Sequence, residues 1–330
     1  MANDKATVNH TYEDWYKTIM GYERSYKRWE ARVDRIVKKY KDDSRYDRNP
    51  NARFNILWSN VQTIQPAIFA RLPRPDVSRR FRDNDPIGRV ASMMLERALE
   101  FEIEHYGDYK SAMNNAVLDR LLGGRGVAWV RYEPHIVGEG EPDDGLEVTE
   151  DSDEAETESA VETESQERIE YECAPVDYVH WRDFGHTIAR TWEEVTAVWR
   201  RVYMSRPALV ERFGEEMGYK IPLDTKPDDL KQSYKSDDGV YEAVIYEVWD
   251  KETGKVLWIS KSLGKIVDER DDPLGLENFW PCPKPLYATL TTDSLEPIPD
   301  FTIYQDQARE LDTLCDRIDG LINALKVRGV

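Results

Sequence analysis

Apolar residues recur at three- and four-residue spacings between Tyr12 and Tyr40, and Lys and Arg fill many of the positions between them. This spacing places the apolar side chains on one face of an α-helix. The sequence therefore predicts a long amphipathic helix that packs on another part of the protein. The apolar positions of this face are Trp15, Ile19, Tyr22, Tyr26, Trp29, Val33, Ile36 and Tyr40.

Three further helices are predicted before the first strand. They cover Phe54–Ile68, Asp85–Ile103 and Asp108–Leu122. In the first of these, Pro66 marks a kink or a helix boundary, because proline has no N–H to donate. In the second, Pro86 occupies the first turn, where its fixed φ suits the helix and its missing N–H is not needed. The pair Gly123-Gly124 ends the third.

The middle of the chain is predicted to form a hairpin that carries a long insert. Val127–Glu133 and Ile169–Trp181 both have the pattern of strands. Between them, residues 137–168 have almost no large apolar side chains, so they cannot bury enough surface to offset the entropy lost on ordering. We therefore expect a mobile, solvated insert that decorates a hairpin within one sheet. Two short helices, Trp192–Tyr203 and Arg206–Met217, are expected to follow.

From residue 240 onward the pattern changes to short strands. Val240–Trp249 and Lys255–Ile259 flank a hairpin turn at Asp250–Gly254, and a proline-rich stretch follows. The last segment, Ile303–Arg328, returns to helical spacing, with one polar row opposite an apolar one. The polar row is Gln305, Arg309, Asp312, Asp316, Asp319 and Asn323. Helices and small antiparallel sheets in this order predict an α+β fold.

The formal net charge of −19 argues against a general nucleic-acid binder, because an acidic surface repels phosphate. The charge is unevenly distributed along the chain. Residues 1–133 hold 24 Lys and Arg against 19 Asp and Glu, residues 134–170 hold 1 against 15, and residues 171–330 hold 20 against 30. The insert therefore carries most of the acidity.

The sequence lacks the motifs of nucleotide binding, metal binding and nucleophilic catalysis. The five histidines form no pair at metal-ligand spacing, and the three cysteines are far apart. The residues alone therefore single out no catalytic, cofactor or metal site. No apolar run is long enough to cross a membrane, and the N-terminus lacks the pattern of a secretory signal. The sequence thus predicts a protein that is made and used without export.

One basic cluster lies around Pro73 and Pro75. Its members are Arg71, Arg74, Arg79, Arg80 and Arg82. Their guanidinium groups suit either contacts to a phosphate backbone or pairing with acidic groups of a neighbouring subunit or helix. The aspartates of the last helix also have two interpretations. They form either a solvated face or the wall of a pore, where carboxylates repel DNA phosphates and let DNA slide without sticking.

Three segments are informative through their order along the chain. They are NILWSNVQTIQPAIFARLPRPDV at Asn55–Val77, LDRLLGGRGVAWVRY at Leu118–Tyr132, and the passage Pro297–Asp312. The first resembles an early helix of the portal proteins of podovirus-type tailed bacteriophages. The second is similar to that family's helix that ends in glycines and enters a strand. The third resembles the return from a β clip into a channel helix.

The resemblance implies a portal subunit, one of usually twelve copies in a ring at one capsid vertex, with no catalysis of its own. In this family's terms, residues 1–222 are a helical wing that carries a small β-sheet. Residues 240–300 are a β clip, 301–330 are a stem helix, and 223–239 are a possible first stem segment. The further wing portion and crown of the family have no counterpart up to residue 330. The polar row then supplies channel-lining residues, namely Asp312, Asp316, Asp319 and Asn323.

The same resemblance implies the partners. Lys261, Lys265 and Arg270 of the clip are candidate contacts for a terminase motor and a tail adaptor. Other implied partners are further copies of the chain, the capsid protein, and double-stranded DNA that passes through without sequence specificity. The implied location is the portal vertex of a virion assembled in the cytoplasm of a bacterial host, with no membrane contact.

Two other classes of protein stay open at this point. An acidic scaffolding or interaction protein of a virion or another assembly would use the insert as its functional tail, although aromatic-rich helices around a β unit fit that class less well. A hydrolase with unrecognised carboxylates would need a concave site that holds a perturbed pair. A ring with a central hole in negative-stain micrographs separates a portal from both.

Overall fold

Helices and antiparallel strands alternate through the computed structural model, which describes residues 10–42, 55–79, 85–137, 168–225, 241–272, 275 and 278–328. The helices are α1 Tyr12–Lys41, α2 Ile56–Ile68, α3 Pro86–His105, α4 Tyr109–Gly123, α5 Arg206–Lys220 and α6 Asp300–Arg328. The strands are β1 Arg125–Val130, β2 Glu133–Val137, β3 Arg168–Cys173, β4 Val176–Val179, β5 Phe184–His186, β6 Ala197–Met204, β7 Ala243–Asp250, β8 Lys255–Ser260, β9 Lys265–Asp271 and β10 Leu286–Tyr287. This mixture agrees with the predicted α+β class.

The chain divides into two units, each of which gathers separate stretches of sequence. The first unit is Met1–Pro73, Tyr109–Trp129 and Val176–Val330. The second unit is Arg74–Asp108 and Val130–Pro175. The long helix α1 and the strands β5 to β9 therefore belong to the first unit, and α3 belongs to the second.

The strands β5 to β9 form one antiparallel sheet in chain order, and α1 packs on one face of it. Residues of β7 lie on both faces of this sheet. Tyr246 and Val248 pack in the hydrophobic cluster that contains α1, and Trp249 packs in the hydrophobic cluster on the other face. The predicted apolar face of α1 is confirmed. Its buried residues are Trp15, Ile19, Tyr22, Tyr26, Trp29, Val33 and Ile36.

The other predicted helices in the first half of the chain are confirmed with small changes of boundary, as α2, α3 and α4. Pro66 lies inside α2, two residues before that helix ends. The helix predicted from Arg206 is also confirmed, as α5.

The helix predicted over Trp192–Tyr203 is wrong. A short 3-10 turn at Trp192–Glu194 leads into β6, which lies between β5 and β7. The side chains of β6 point alternately to the two faces of the sheet. Ala197 and Trp199 pack with α1, and Val198 packs in the hydrophobic cluster on the other face. β-Branched and aromatic residues favour this pleated, half-buried surface. Pairing with β7 along the whole strand outweighs the local spacing that suggested a helix.

The β unit predicted for residues 240–300 is not a separate sheet. β7 and β8 form the predicted hairpin around Asp250–Gly254, and β9 continues it, but β7 also pairs with β6. One sheet therefore joins residues on both sides of the segment 223–239. Residues 226–240 of that segment, and with them the possible first stem segment, lie outside the described residues.

The hairpin that carries the acidic insert is present as β2 and β3, in antiparallel register. Contrary to expectation, it does not continue one sheet: β2 and β3 make a two-stranded sheet, whereas β1 pairs with β4 and β10. Pro175 separates β3 from β4 and has no N–H for a ladder, which explains why one predicted strand becomes two. Residues 138–167 of the insert lie outside the described residues, so the mobility of the insert stays a prediction.

The guanidinium of Arg125, at the start of β1, is 1% exposed. Its Nη1 donates to the hydroxyl of Tyr22 at 2.6 Å, and its Nη2 donates to the carbonyls of Trp181 at 2.8 Å and Phe184 at 3.0 Å. The ring of Trp29 lies 4.7 Å from its central carbon. Within the described residues no carboxylate forms an ion pair with Arg125, so neutral acceptors and aromatic faces hold the charge.

A second buried polar group, Asp119, joins α4 to β4 and the turn that follows it. Its carboxylate accepts hydrogen bonds from the Tyr178 hydroxyl at 2.5 Å and from the Trp181 backbone N–H at 3.1 Å. Burial raises the pKa of Asp119 to about 7, although both hydrogen bonds favour the charged form. The group therefore changes charge near neutral pH inside the protein.

We expect the substitution Arg125→Leu to lower the free energy of unfolding by about 3–5 kcal/mol, because it removes the donor to the Trp181 carbonyl and one of two donors to the Phe184 carbonyl, and opens a cavity. Urea denaturation of this variant, beside Arg24→Leu at an exposed position of α1, measures the effect. The control should change stability by less than about 0.5 kcal/mol. Equal stability of the two variants would mean that the cost of burying the charge cancels its contacts.

We expect Asp119→Asn to change the pH dependence of stability. The pKa of Asp119 in the folded protein lies above its ordinary value of 3.8, so the folded state holds a proton that the unfolded chain has released. Stability therefore falls as the pH rises from about 4 to about 7. The wild type should lose up to about 4 kcal/mol more than the variant over this interval. Parallel pH profiles in thermal or urea unfolding would contradict this assignment.

Candidate functional site

The helix α6 is packed only along its first turns. Phe301 and Ala308 are buried in a cluster that includes Leu57 of α2 and Val117 and Leu121 of α4. This cluster fixes the direction in which the rest of the helix runs.

Two ion pairs add to the anchoring of α6. Arg120 of α4 pairs with Asp300 in the first turn, and Lys39 of α1 lies 3.2 Å from Asp312. Both pairs are partly exposed, so each contributes at most about 1 kcal/mol. Their main effect is to orient α6 with respect to α1 and α4.

The remainder of α6 presents an uncovered apolar row. Between residues 313 and 325 no residue of the helix is buried. The row consists of Leu311, Leu314, Ile318, Leu321 and Leu325, with side chains that are 39% to 71% exposed. The sequence predicts that this row packs on neighbouring helices. Among the described residues of one chain, however, nothing buries it.

The predicted channel residues do not all have the same surroundings. Asp312 is partly buried against α1 through its pair with Lys39, so it is not a freely solvated member of the row. Asp316 and Asn323 are exposed, and Asp319 is partly exposed. Asp312 thus differs from the other three residues in its surroundings, and the channel-lining role of all four stays a prediction.

In the second unit, α3 also exposes its apolar side chains. None of its residues is buried. Its exposed large apolar residues are Ile87, Val90, Met93, Met94, Leu95, Leu99 and Phe101. The sequence predicts the helix correctly, but the spacing of its apolar residues does not reveal that they are exposed among the described residues.

The basic cluster is divided between the two units, because Arg71 belongs to the first and Arg74 and Arg79 belong to the second. Arg79 lies 3.2 Å from Asp85, the residue before α3. This pairing agrees with one of the two interpretations, an acidic group of a neighbouring helix. Arg80 and Arg82 lie outside the described residues.

The predicted clip contacts lie at the end of the five-stranded sheet. Lys261 is turned toward α1, where its Nζ lies 3.4 Å from Glu23, so it is engaged within the chain. Lys265 is exposed, and Arg270 is exposed and pairs with Asp268 at 3.1 Å. Both of the latter belong to β9, the edge strand of the sheet among the described residues, and their role as partner contacts stays a prediction.

The described residues contain no group of three or more His, Cys, Asp or Glu side chains that could hold a metal ion. His186 is fully buried beside the hydroxyl of Tyr26, and burial together with the charge of Arg125 lowers its pKa to about 3. It is therefore neutral at physiological pH. Among the described residues, no helix is both long enough and apolar enough to cross a membrane.

Comparison with known proteins adds no assignment. No protein-family model matches the chain. A comparison with curated proteins also finds no match.

Proposed function

We propose that this chain is a subunit of a ring-shaped portal, which forms a channel at one capsid vertex for DNA packaging and ejection. The apolar row of α6 carries the proposal, because the described residues of one chain leave it uncovered and a ring of copies would cover it. The order of the sequence motifs, which resembles that of portal proteins, selects this kind of ring among the possible assemblies.

The length and anchoring of α6 support this assignment. Its 29 residues correspond to about 43 Å of helix at a rise of 1.5 Å per residue. A row of leucine and isoleucine this long is typical of an interaction surface. Complete burial of one such side chain stabilises an assembly by roughly 1.5–3 kcal/mol. In a ring, each row packs against the stem helix of the next copy.

The charges of α6 also suit a channel. Once the apolar row faces a neighbour, Asp316, Asp319 and Asn323 are left toward the lumen. Carboxylates repeated around the ring repel DNA phosphates, so they act by lowering friction and not by grip. Their mutual repulsion favours partial protonation or cation binding. Asp312 contributes less, because Lys39 neutralises it.

Two further surfaces fit an assembly of this kind. The uncovered side chains of α3 supply a second contact between copies, and the edge strand β9 supplies a docking surface for the terminase motor and the tail adaptor. The subunit has no catalytic role in this proposal, and the virion is its place of action.

We expect the full chain to form rings with a central hole, visible in negative-stain micrographs and as a high mass in light scattering. Ile318→Asp with Leu321→Asp should lower the mass to that of one chain, because two carboxylates would be buried in the contact. Thr313→Asp with Ala324→Asp adds the same charge outside the apolar row and should retain rings. A strictly monomeric wild type at micromolar concentration and moderate salt would contradict the proposal and favour the acidic interaction protein.

The combined substitution of Asp312, Asp316 and Asp319 by Asn should leave ring assembly intact and impair DNA transit, because it removes the repulsive wall. Packaging and ejection assays on assembled particles measure the effect. Substitution of Asp312 alone should have the smallest effect, since Lys39 already neutralises it. Normal DNA transit through the triple variant would exclude a channel role for these carboxylates.

A further inference from the structure

A groove of about 490 Å³ lies between α1 and α6 in the first unit. Its α1 wall consists of Arg32, Arg35 and Lys39, at spacings of three and four residues that place them on one face of the helix. Its α6 wall includes Arg309 and Asp312. Four cations therefore line the groove beside a single carboxylate, and we name it the basic groove.

The positive charge of the basic groove is compensated only in part. Arg309 pairs with Asp306 of its own helix at 3.2 Å. Asp312 is occupied by Lys39 at 3.2 Å. The Nε of Arg35 donates to the Ala31 carbonyl of its own helix at 3.3 Å, and Arg35 forms no ion pair with the residues that the structure describes. Arg32 forms no hydrogen bond or ion pair with any residue that the structure describes. Cations that line one groove repel each other, and an anion bound between them would relieve that repulsion.

A buried hydroxyl adds a second, independent observation. Thr302 lines the basic groove, and its Oγ1 is buried without a hydrogen-bond partner among the described residues. Buried polar groups in folded proteins nearly always have a partner, so an unpaired hydroxyl beside a cavity indicates a missing acceptor. The amide of Gln305 lies in the same lining and offers further donors.

We propose that the basic groove binds a phosphate-bearing anion. Two arginines and a hydroxyl donor match the several acceptor oxygens of a phosphate, and arginine forms paired hydrogen bonds with this group. Ile36, Phe301 and Ala308 add an apolar part to the lining, which lowers the local polarity beside these contacts. A volume of 490 Å³ suits a small phosphorylated molecule, and a phosphodiester backbone is the other source of the same chemistry.

Isothermal titration of the full chain with pyrophosphate, and separately with a short DNA duplex, tests the proposal. Arg32→Ala with Arg35→Ala should weaken pyrophosphate binding at least tenfold, because charge-assisted contacts are lost. Arg24→Ala with Lys27→Ala removes the same charge from exposed positions of α1 outside the groove, and should leave affinity within about twofold. Thr302→Val should weaken binding several-fold without lowering the melting temperature, since the hydroxyl has no partner to lose.

Saturable pyrophosphate binding that depends on Arg32, Arg35 and Thr302 supports a small-anion site. If the DNA duplex binds and pyrophosphate does not, and if duplex binding also depends on Arg32, Arg35 and Thr302, the groove is a site for a phosphodiester backbone. Equal losses in the groove and control variants, or no binding of either probe at millimolar concentration, overturn the proposal. A fall in oligomer mass without any anion binding also overturns it, because the groove is then a contact between copies. The titrations can be made on monomers or on rings, so their result does not depend on whether the portal proposal is correct.

Discussion

The first unit depends on the position of one buried charge, the guanidinium of Arg125. Its donors connect α1, β1 and the turn after β4, three parts of the chain that are distant in sequence. The glycines around it make this approach possible. Gly124 has a φ of +84°, and a Cβ at Gly126 would lie only 1.9 Å from the carbonyl oxygen of Ala116. The glycine cluster therefore brings β1 close enough to α4 for Arg125 to reach its acceptors.

The helices could be predicted from the sequence because their signals are local. The apolar spacing of α1, the first-turn position of Pro86 and the glycines after α4 each act within a few residues. β6 could not be predicted in this way, since its identity depends on pairing with β7, which begins about forty residues later in the chain. The prediction of a separate β unit at residues 240–300 is wrong for the same reason, because β7 pairs with β6. Alternation within a strand predicts a sheet but does not name the strands that join it.

The candidate site was predictable to the same limited extent. Helical spacing alone separates the polar row from the apolar row of α6, but it does not predict that the apolar row is exposed in the described residues. Lys39 and Asp312 are 273 residues apart, so no local pattern predicts that one neutralises the other. The basic groove is invisible in the sequence for a similar reason, because it exists only where the face of α1 with Arg32 and Arg35 meets α6.

The packing of α1 also constrains how the chain can be made. Its apolar face is covered by β6, β7 and β8, and the hydroxyl of Tyr12 reaches the carbonyl of Lys261, 249 residues further along. During synthesis from the N-terminus, the tryptophans and tyrosines of α1 therefore emerge long before the strands that cover them. Closing such distant contacts is slow, so the aromatic face stays exposed and prone to aggregation during that interval. The helix that begins the described chain is thus among the last to be buried.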